Sequence, residues 1–122
     1  MALLVSIIIP CFNPGRMLET CLSSCFLQTH PNIEIILVDN NSTDDSVGFA
    51  QSLGKEQRHQ LRVAHCEQQG HTLARNFGLD LARGQYIQWL DADDALSPNK
   101  IERQVIALEA DPDSDIAHCD WE

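Results

Sequence analysis

Three carboxylates stand within four residues, at Asp91, Asp93 and Asp94, and a fourth, Asp39, directly follows the mostly apolar run 33–38. Carboxylates this close repel one another unless a cation neutralises them. Hard divalent cations such as Mg²⁺ or Mn²⁺ take oxygen ligands of this kind and often bridge to substrate phosphates. The acidic group therefore reads as a metal site through which an acidic crevice could hold an anionic diphosphate. On spacing alone, a turn rich in aspartate with no ligand is the alternative reading.

The elements that would position these groups can be read from the hydrophobic pattern. Val5–Pro10 and the run 33–38 are short, β-branched and continuous, as buried strands are. Leu61–Ala64 is a weaker strand, Tyr86–Leu90 a fourth, and Ile116–Cys119 a candidate fifth. Between them, Leu18, Leu22 and Cys25 recur at helical spacing within Arg16–Gln28. Ser42–Asp45 carries a capping-box pattern before Val47, Ala50 and Leu53. Leu73, Phe77 and Leu81 mark a third helix, with Gly84 expected at its C′ position. Ser97 and Pro98 are expected as N-cap and first residue of a last helix, with Ile101, Val105 and Leu108 facing inward. Alternating strands and helices predict a three-layer α/β sandwich with a mostly parallel sheet. Such sheets bind ligands past the carboxyl ends of their strands. That directs attention to Pro10–Asn13, Asp39–Ser42, His65–Gly70 and Asp91–Asp94.

Several nucleotide-binding schemes are excluded. No G-x-G-x-x-G follows the first strand, and no G-x-x-x-x-G-K-[ST] occurs, which removes the dinucleotide and P-loop fingerprints. A phosphoacceptor domain of the response-regulator kind needs an acidic pair after the first strand. Pro10-Cys11 stands there instead, and the late lysine, Lys100, lies in a predicted helix.

The chain has 122 residues, 43% apolar and 21% charged, and reads as one globular domain, 1–122. Its net charge is −10. Residues 1–90 hold six basic and eight acidic side chains, and residues 91–122 hold two basic and ten acidic. That balance repels phosphate backbones, so nucleic acid is an unfavourable partner. Five cysteines, odd in number and without a Cys-x-x-Cys pair, argue against a disulfide framework and for a reducing compartment. Cys21 and Cys25 read as small buried hydrophobes on one helix face. No apolar run is long enough to span a bilayer.

The blocks V-S-I-I-I-P-C-F-N at 5–13, Q-T at 28–29, I-L-V-D-N-N-S-T-D at 36–44, G-H-T-L-A-R-N-F-G-L at 70–79 and Y-I-Q-W-L-D-A-D-D at 86–94 occur in this order. Together they resemble the N-terminal half of family 2 glycosyltransferases, which have the GT-A fold. The resemblance covers nearly the whole chain. It implies a nucleotide-diphospho-sugar donor, commonly a UDP-sugar, a divalent Mn²⁺ or Mg²⁺, and inverting transfer to an acceptor hydroxyl of a glycan or glycolipid. It implies that Pro10, Cys11 and Phe12 line the nucleoside pocket, with Asp39 on the uracil and Arg75 near base and phosphates. Asp91 and Ala92 fall on the donor, and Asp93, with Asp91, on the metal. It also implies a cytoplasmic location, in solution or at the inner face of a membrane, and a role in polysaccharide biosynthesis.

Other placements compete with these. Asp39 could cap the helix near Asp44, and Arg75 could pair with Asp80. Asn76 and Gly78 are expected to pack, and Trp89, inside its strand, to be core. Where relatives commonly show Asp-Asp-Gly-Ser, this chain has Asp39-Asn40-Asn41-Ser42, and Asn41 can adopt the left-handed backbone that glycine supplies. In the family, the carboxylate that deprotonates the acceptor lies in an acceptor half that follows the D-x-D. Asp111, Asp113, Asp115, Asp120 and Glu122 come too early to match it, so the base is expected outside these residues and the fold incomplete at the C-terminus. Such a fold could self-associate through its uncovered face. A non-catalytic nucleotide-sugar-binding module is the alternative function.

Overall fold

A computed structural model describes residues 3–111 and 113. Its strands are β1 (Val5–Cys11), β2 (Ile33–Asp39), β3 (Gln60–His65) and β4 (Tyr86–Trp89). Its helices are α1 (Met17–Phe26), α2 (Ser46–Leu53), α3 (His71–Leu81) and α4 (Lys100–Ala110). The sheet order is β3-β2-β1-β4, and every pairing is parallel. The expected fifth strand, 116–119, lies outside the described residues.

The order explains the layers. The chain steps outward from β1 through β2 to β3, then returns past β1 to place β4. Crossovers of one hand travelling in opposite directions put their helices on opposite faces. Ile7, Ile9, Ile35 and Leu37 accordingly pack with Leu18, Leu22, Cys25, Ala50 and Ile101 on one face. Ile8, Ile36 and Val38 pack with Ala74 on the other. Because both faces are covered, β1 and β2 are buried at every residue, which is why they read as unbroken apolar runs. Each fully buried isoleucine contributes about 1.5–3 kcal/mol of transfer free energy.

Pro10 sits inside β1, opposite Val38. Ile8 O accepts from Leu90 N on the β4 side, and Pro10, two residues on, faces the same way beyond the end of β4. Its missing N–H therefore breaks no ladder bond, and the sheet opens into a crevice there.

Several local expectations change. Leu73 and Phe77, which mark the helix, are exposed, and α3 buries Ala74 together with Gly78, which packs as expected. A Cβ at Gly78 would come within 2.5 Å of Ile8 Cγ2 and 3.0 Å of Val38 Cγ2, so the helix rests on the sheet through its small residues. Asn76, expected to pack, is exposed. Gly84 is not a C′ residue: α3 ends at Leu81, and Ala82 is already extended. Gly84 instead passes so close to β1 that a Cβ would meet Ser6 N at 2.7 Å and Leu4 O at 2.9 Å. The second helix starts at Ser46, not near Ser42, because the Ser42 side chain is engaged by the β1 exit. The last helix starts at Lys100 with Asn99 at the N-cap, two residues past Ser97-Pro98.

A buried carboxylate marks the amino ends of the strands. Glu34 is 1% exposed and accepts from Ser6 Oγ (2.6 Å), Arg83 N (2.7 Å) and the Arg83 guanidinium (3.1 Å), with Arg62 at 3.7 Å. Burial pushes its pKa up, but the hydrogen bonds from Ser6 and Arg83 outweigh that and hold it below the ordinary glutamate range. Among the described residues, no helix is long and apolar enough to cross a membrane.

Candidate functional site

The carboxyl ends of the strands meet as three interlocked loops. At the β1 exit, Asn13 adopts a left-handed backbone (φ 46°). Its Oδ1 accepts from Thr43 N (2.7 Å) and Asp44 N (3.2 Å), and its own N–H donates to Ser42 Oγ (3.0 Å). At the β2 exit, Asn41 is also left-handed (φ 70°), the conformation that the glycine of the common pattern would take.

Asn40, between them, is 3% exposed and fully engaged. Its backbone N–H donates to Cys11 O (2.8 Å), and its Nδ2 to Cys66 O (3.0 Å) and Gln68 O (2.7 Å). Its Oδ1 accepts from Gly70 N (2.9 Å) and Gln69 Nε2 (3.3 Å). A carboxylate could not donate to those two carbonyls. The asparagine that departs from the family pattern is thus the stitch that ties the β3–α3 loop to the sheet.

These loops frame a cleft of about 190 Å³ lined by Pro10, Cys11, Phe12, Asn40, Gln69, His71 and Ala74. Phe12, half exposed at its rim, offers a ring face for stacking. The Cys11 side chain is in the core, 3.9 Å from Ser42 Oγ, and burial pushes its thiol up to about 11, so it is neutral near pH 7 and no nucleophile.

Asp39 is not a helix cap. Its Oδ1 accepts from Ser42 N (3.3 Å), and its Oδ2 lies 3.3 Å from His65 Nδ1. Strand alternation sends its side chain toward the α1–α2 face, while the cleft opens beside α3. The structure therefore places Asp39 next to the cleft but not among its lining residues.

The acidic group lies across from α3. Oxygens of Asp91, Asp93 and Asp94 all come within 4.8 Å of one another. Arg75 pairs with Asp91 (Nη2 to Oδ1, 3.6 Å) rather than with Asp80, and its guanidinium lies 5.8 Å from the Trp89 ring centroid. Trp89, expected in the core, is 39% exposed. Ala92, expected on the donor, is buried in the apolar cluster with Leu90 and Leu96. His71, which sequence reasoning passed over, brings Nε2 to 3.3 Å of Asp91 Oδ1. Its position at the start of a helix bordering a strand exit was the available signal.

The acidic loop is anchored from α1. The Cys21 thiol donates to Asp91 O (3.6 Å), and Ser24 Oγ accepts from Leu96 N (3.0 Å). Cys21 and Cys25 are buried, as expected, and the hydrogen bond between them and burial raise the Cys21 pKa. Gln28, fully buried, donates to Ser97 O (2.7 Å) and Ser24 O (3.1 Å) and accepts from Ile101 N (3.2 Å). The residues fit a hard cation. Asp91 Oδ1 is shielded from solvent yet accepts no hydrogen bond among the described residues, and Asp93 and Asp94 bring further carboxylate oxygens beside it.

The sequence profile of "Glycosyl transferase family 2" matches residues 6–120. An uncharacterized glycosyltransferase of Escherichia coli, YibD, is 36% identical over 119 residues, which is 96% of this chain and 34% of that protein. Glycosyltransferase GlyG of Streptococcus pneumoniae is 39% identical over 115 residues, covering 91% of this chain and 38% of that one. This chain thus spans little more than a third of each. Among solved structures, the mannosyltransferase PcManGT of Pyrobaculum calidifontis, in complex with GDP-Man and Mn²⁺, superposes with a TM-score of 0.80 at 26% identity, over 88% of this chain and 32% of that one. TarS of S. aureus in complex with UDP gives a TM-score of 0.81 at 24% identity, over 87% and 32%. These neighbours share the GT-A fold.

Proposed function

The chain belongs to glycosyl transferase family 2, and on that premise we propose that it is the donor-binding part of a glycosyltransferase acting on a nucleotide-diphospho-sugar, with UDP as the nucleotide. One observation carries this reading. An aromatic-rimmed cleft and a group of three carboxylates lie on either side of the first turns of α3 at the carboxyl ends of a parallel sheet. A nucleoside fits the first and a metal-bound diphosphate the second. The nucleotide and metal complexes of the structural neighbours support it.

In this reading Phe12 stacks on the base beside Pro10 and the Cys11 backbone. Asp39, oriented by Ser42 and His65, accepts from a base N–H at the pocket edge. Arg75 meets the phosphates, and Asp91, Asp93 and Asp94 hold Mn²⁺ or Mg²⁺. A cation bound there neutralises charge that develops on the leaving diphosphate as the glycosidic C–O bond breaks. Transfer goes to an acceptor hydroxyl of a glycan or glycolipid with inversion. The acceptor-activating carboxylate is assigned to sequence outside these 122 residues, which the greater length of the relatives supports.

Calorimetric titration with UDP, with and without Mn²⁺, tests the proposal. UDP should bind in the presence of Mn²⁺ and weaken at least tenfold when excess chelator is added, because free carboxylates repel a diphosphate. Equal affinity in both conditions refutes the metal assignment, and no heat at millimolar UDP refutes the nucleotide assignment.

A further inference from the structure

His71 has no part in the reading above, yet it touches both halves of the site. It opens α3, its side chain borders the cleft beside Pro10 and Phe12, and its Nε2 lies 3.3 Å from Asp91 Oδ1. Arg75 follows four residues later on the same helix face and brings Nη2 to 3.6 Å of the same oxygen. Two nitrogen groups of one helix therefore converge on one carboxylate oxygen. Neither contact is a formed hydrogen bond. Asp91 Oδ1 is shielded without accepting one, and Arg75 Nε is shielded without donating one. Both helix side chains and Asp91 are about half exposed, so the pairing is weak and readily exchanged. The same Asp91 also contributes to the carboxylate group that fits a cation. A dication on this carboxylate competes with the two nitrogen groups for it.

The geometry points to an exchange of partners: the His71 and Arg75 nitrogens face Asp91 while the carboxylates hold no metal, and turn to the donor's diphosphate oxygens once a divalent cation occupies Asp91. This inference rests on the nucleotide-sugar reading. No covalent bond changes, and the donors simply swap one set of oxygens for another. The consequence is linkage. Metal binding frees the groups that receive the diphosphate, and the diphosphate draws away the groups that compete with the metal, so each tightens the other by the same factor. His71, at the border of cleft and carboxylates, is the part of this device that sequence patterns do not disclose.

The test measures Mn²⁺ affinity by electron paramagnetic resonance and calorimetry, with and without saturating UDP, for the wild-type protein, His71→Ala and His71→Gln. Mn²⁺ alone should bind His71→Ala about two- to fivefold more tightly, the factor controlled by a half-exposed polar contact. The UDP-dependent enhancement of Mn²⁺ affinity should shrink by at least that factor, and His71→Gln, which keeps a donor, should fall between. Because His71 is exposed, neither variant should lose more than a few degrees of melting temperature, and if one fails to fold the other decides. Unchanged Mn²⁺ affinity and unchanged enhancement in the folded variant overturn the inference. Weaker binding of Mn²⁺ alone also overturns it, since His71 would then be a metal ligand. A wild-type protein that binds neither Mn²⁺ nor UDP overturns the nucleotide-sugar reading itself, whereas binding of both with indifferent variants removes only the exchange.

Discussion

Replacing Gln28 by alanine should loosen the acidic loop from a distance. The side chain is fully buried and spans three elements: its amide donates to Ser24 O within α1 and to Ser97 O in the loop after the carboxylates, and its carbonyl accepts from Ile101 N at the start of α4. Each of these bonds is worth about 1 kcal/mol net, and a buried group left without its partner costs about 1–3 kcal/mol. Ile101 N, buried in the first turn of α4, is the group least able to find water. The sum is about 3–5 kcal/mol, a large part of the roughly 5–15 kcal/mol that stabilises a domain of this size. In urea unfolding the midpoint should fall while the slope holds, and the melting temperature should drop by about 12–20 °C. Gln28→Glu should fare no better, because it keeps the acceptor for Ile101 but turns an oxygen toward two carbonyls. Mn²⁺ affinity should weaken in both, since the loop that carries the carboxylates loses its tether. A loss below about 1 kcal/mol in Gln28→Ala would falsify the claim that this side chain holds the loop.

Asp39→Ala should weaken UDP binding at least tenfold in calorimetry while lowering the melting temperature by only a few degrees; a collapse of the fold would mean the carboxylate serves the Ser42 turn rather than the ligand. Gly78→Ala should destabilise by about 1–2 kcal/mol in urea unfolding, because overpacking against Ile8 and Val38 exceeds the roughly 1 kcal/mol gained in helix propensity. A neutral or stabilising result would show that α3 can lift off the sheet at small cost. The Glu34 pKa is depressed in the folded state, so its contribution is complete above the ordinary glutamate pKa and is lost as pH falls through the lower, folded value. Glu34→Gln should be less stable than the wild type at neutral pH, and the gap should narrow under acid. A constant gap across that range would remove Glu34 from the acid response.

The sheet was legible because both its faces are covered: β1 and β2 could be read as continuous apolar runs without knowing what covered them. Helix starts were less legible. Ser42 has the right type and spacing for a cap, but its hydroxyl is claimed by Asn13 N across the β1–β2 boundary, and no local pattern reports a partner 29 residues away. The buried face of α3 was only partly legible for a related reason. Leu73 and Phe77 are the large apolar residues, yet close approach to Ile8 admits only Ala74 and Gly78, and burial by smallness leaves no hydrophobic signal. Among the site residues, the three carboxylates stood out by their density in the sequence. Glu34, embedded in an apolar strand, and His71, single and without a motif of its own, became visible only when strands and helix brought their partners beside them.

The wiring of Asn40 has a consequence for how this scaffold can diversify. Surface loops ordinarily accept insertions and deletions with little penalty. Here one buried asparagine engages Cys11 O through its backbone N–H and Cys66 O, Gln68 O and Gly70 N through its side-chain amide. Adding or deleting a single residue between Cys66 and Gly70 would pull at least one of these groups out of reach and strand a buried polar atom. The length of the loop between Cys66 and Gly70 is therefore fixed, and a change of donor preference must come from exchanging side chains on an unchanged frame, with Phe12 at the cleft rim standing outside this hydrogen-bonded stitch.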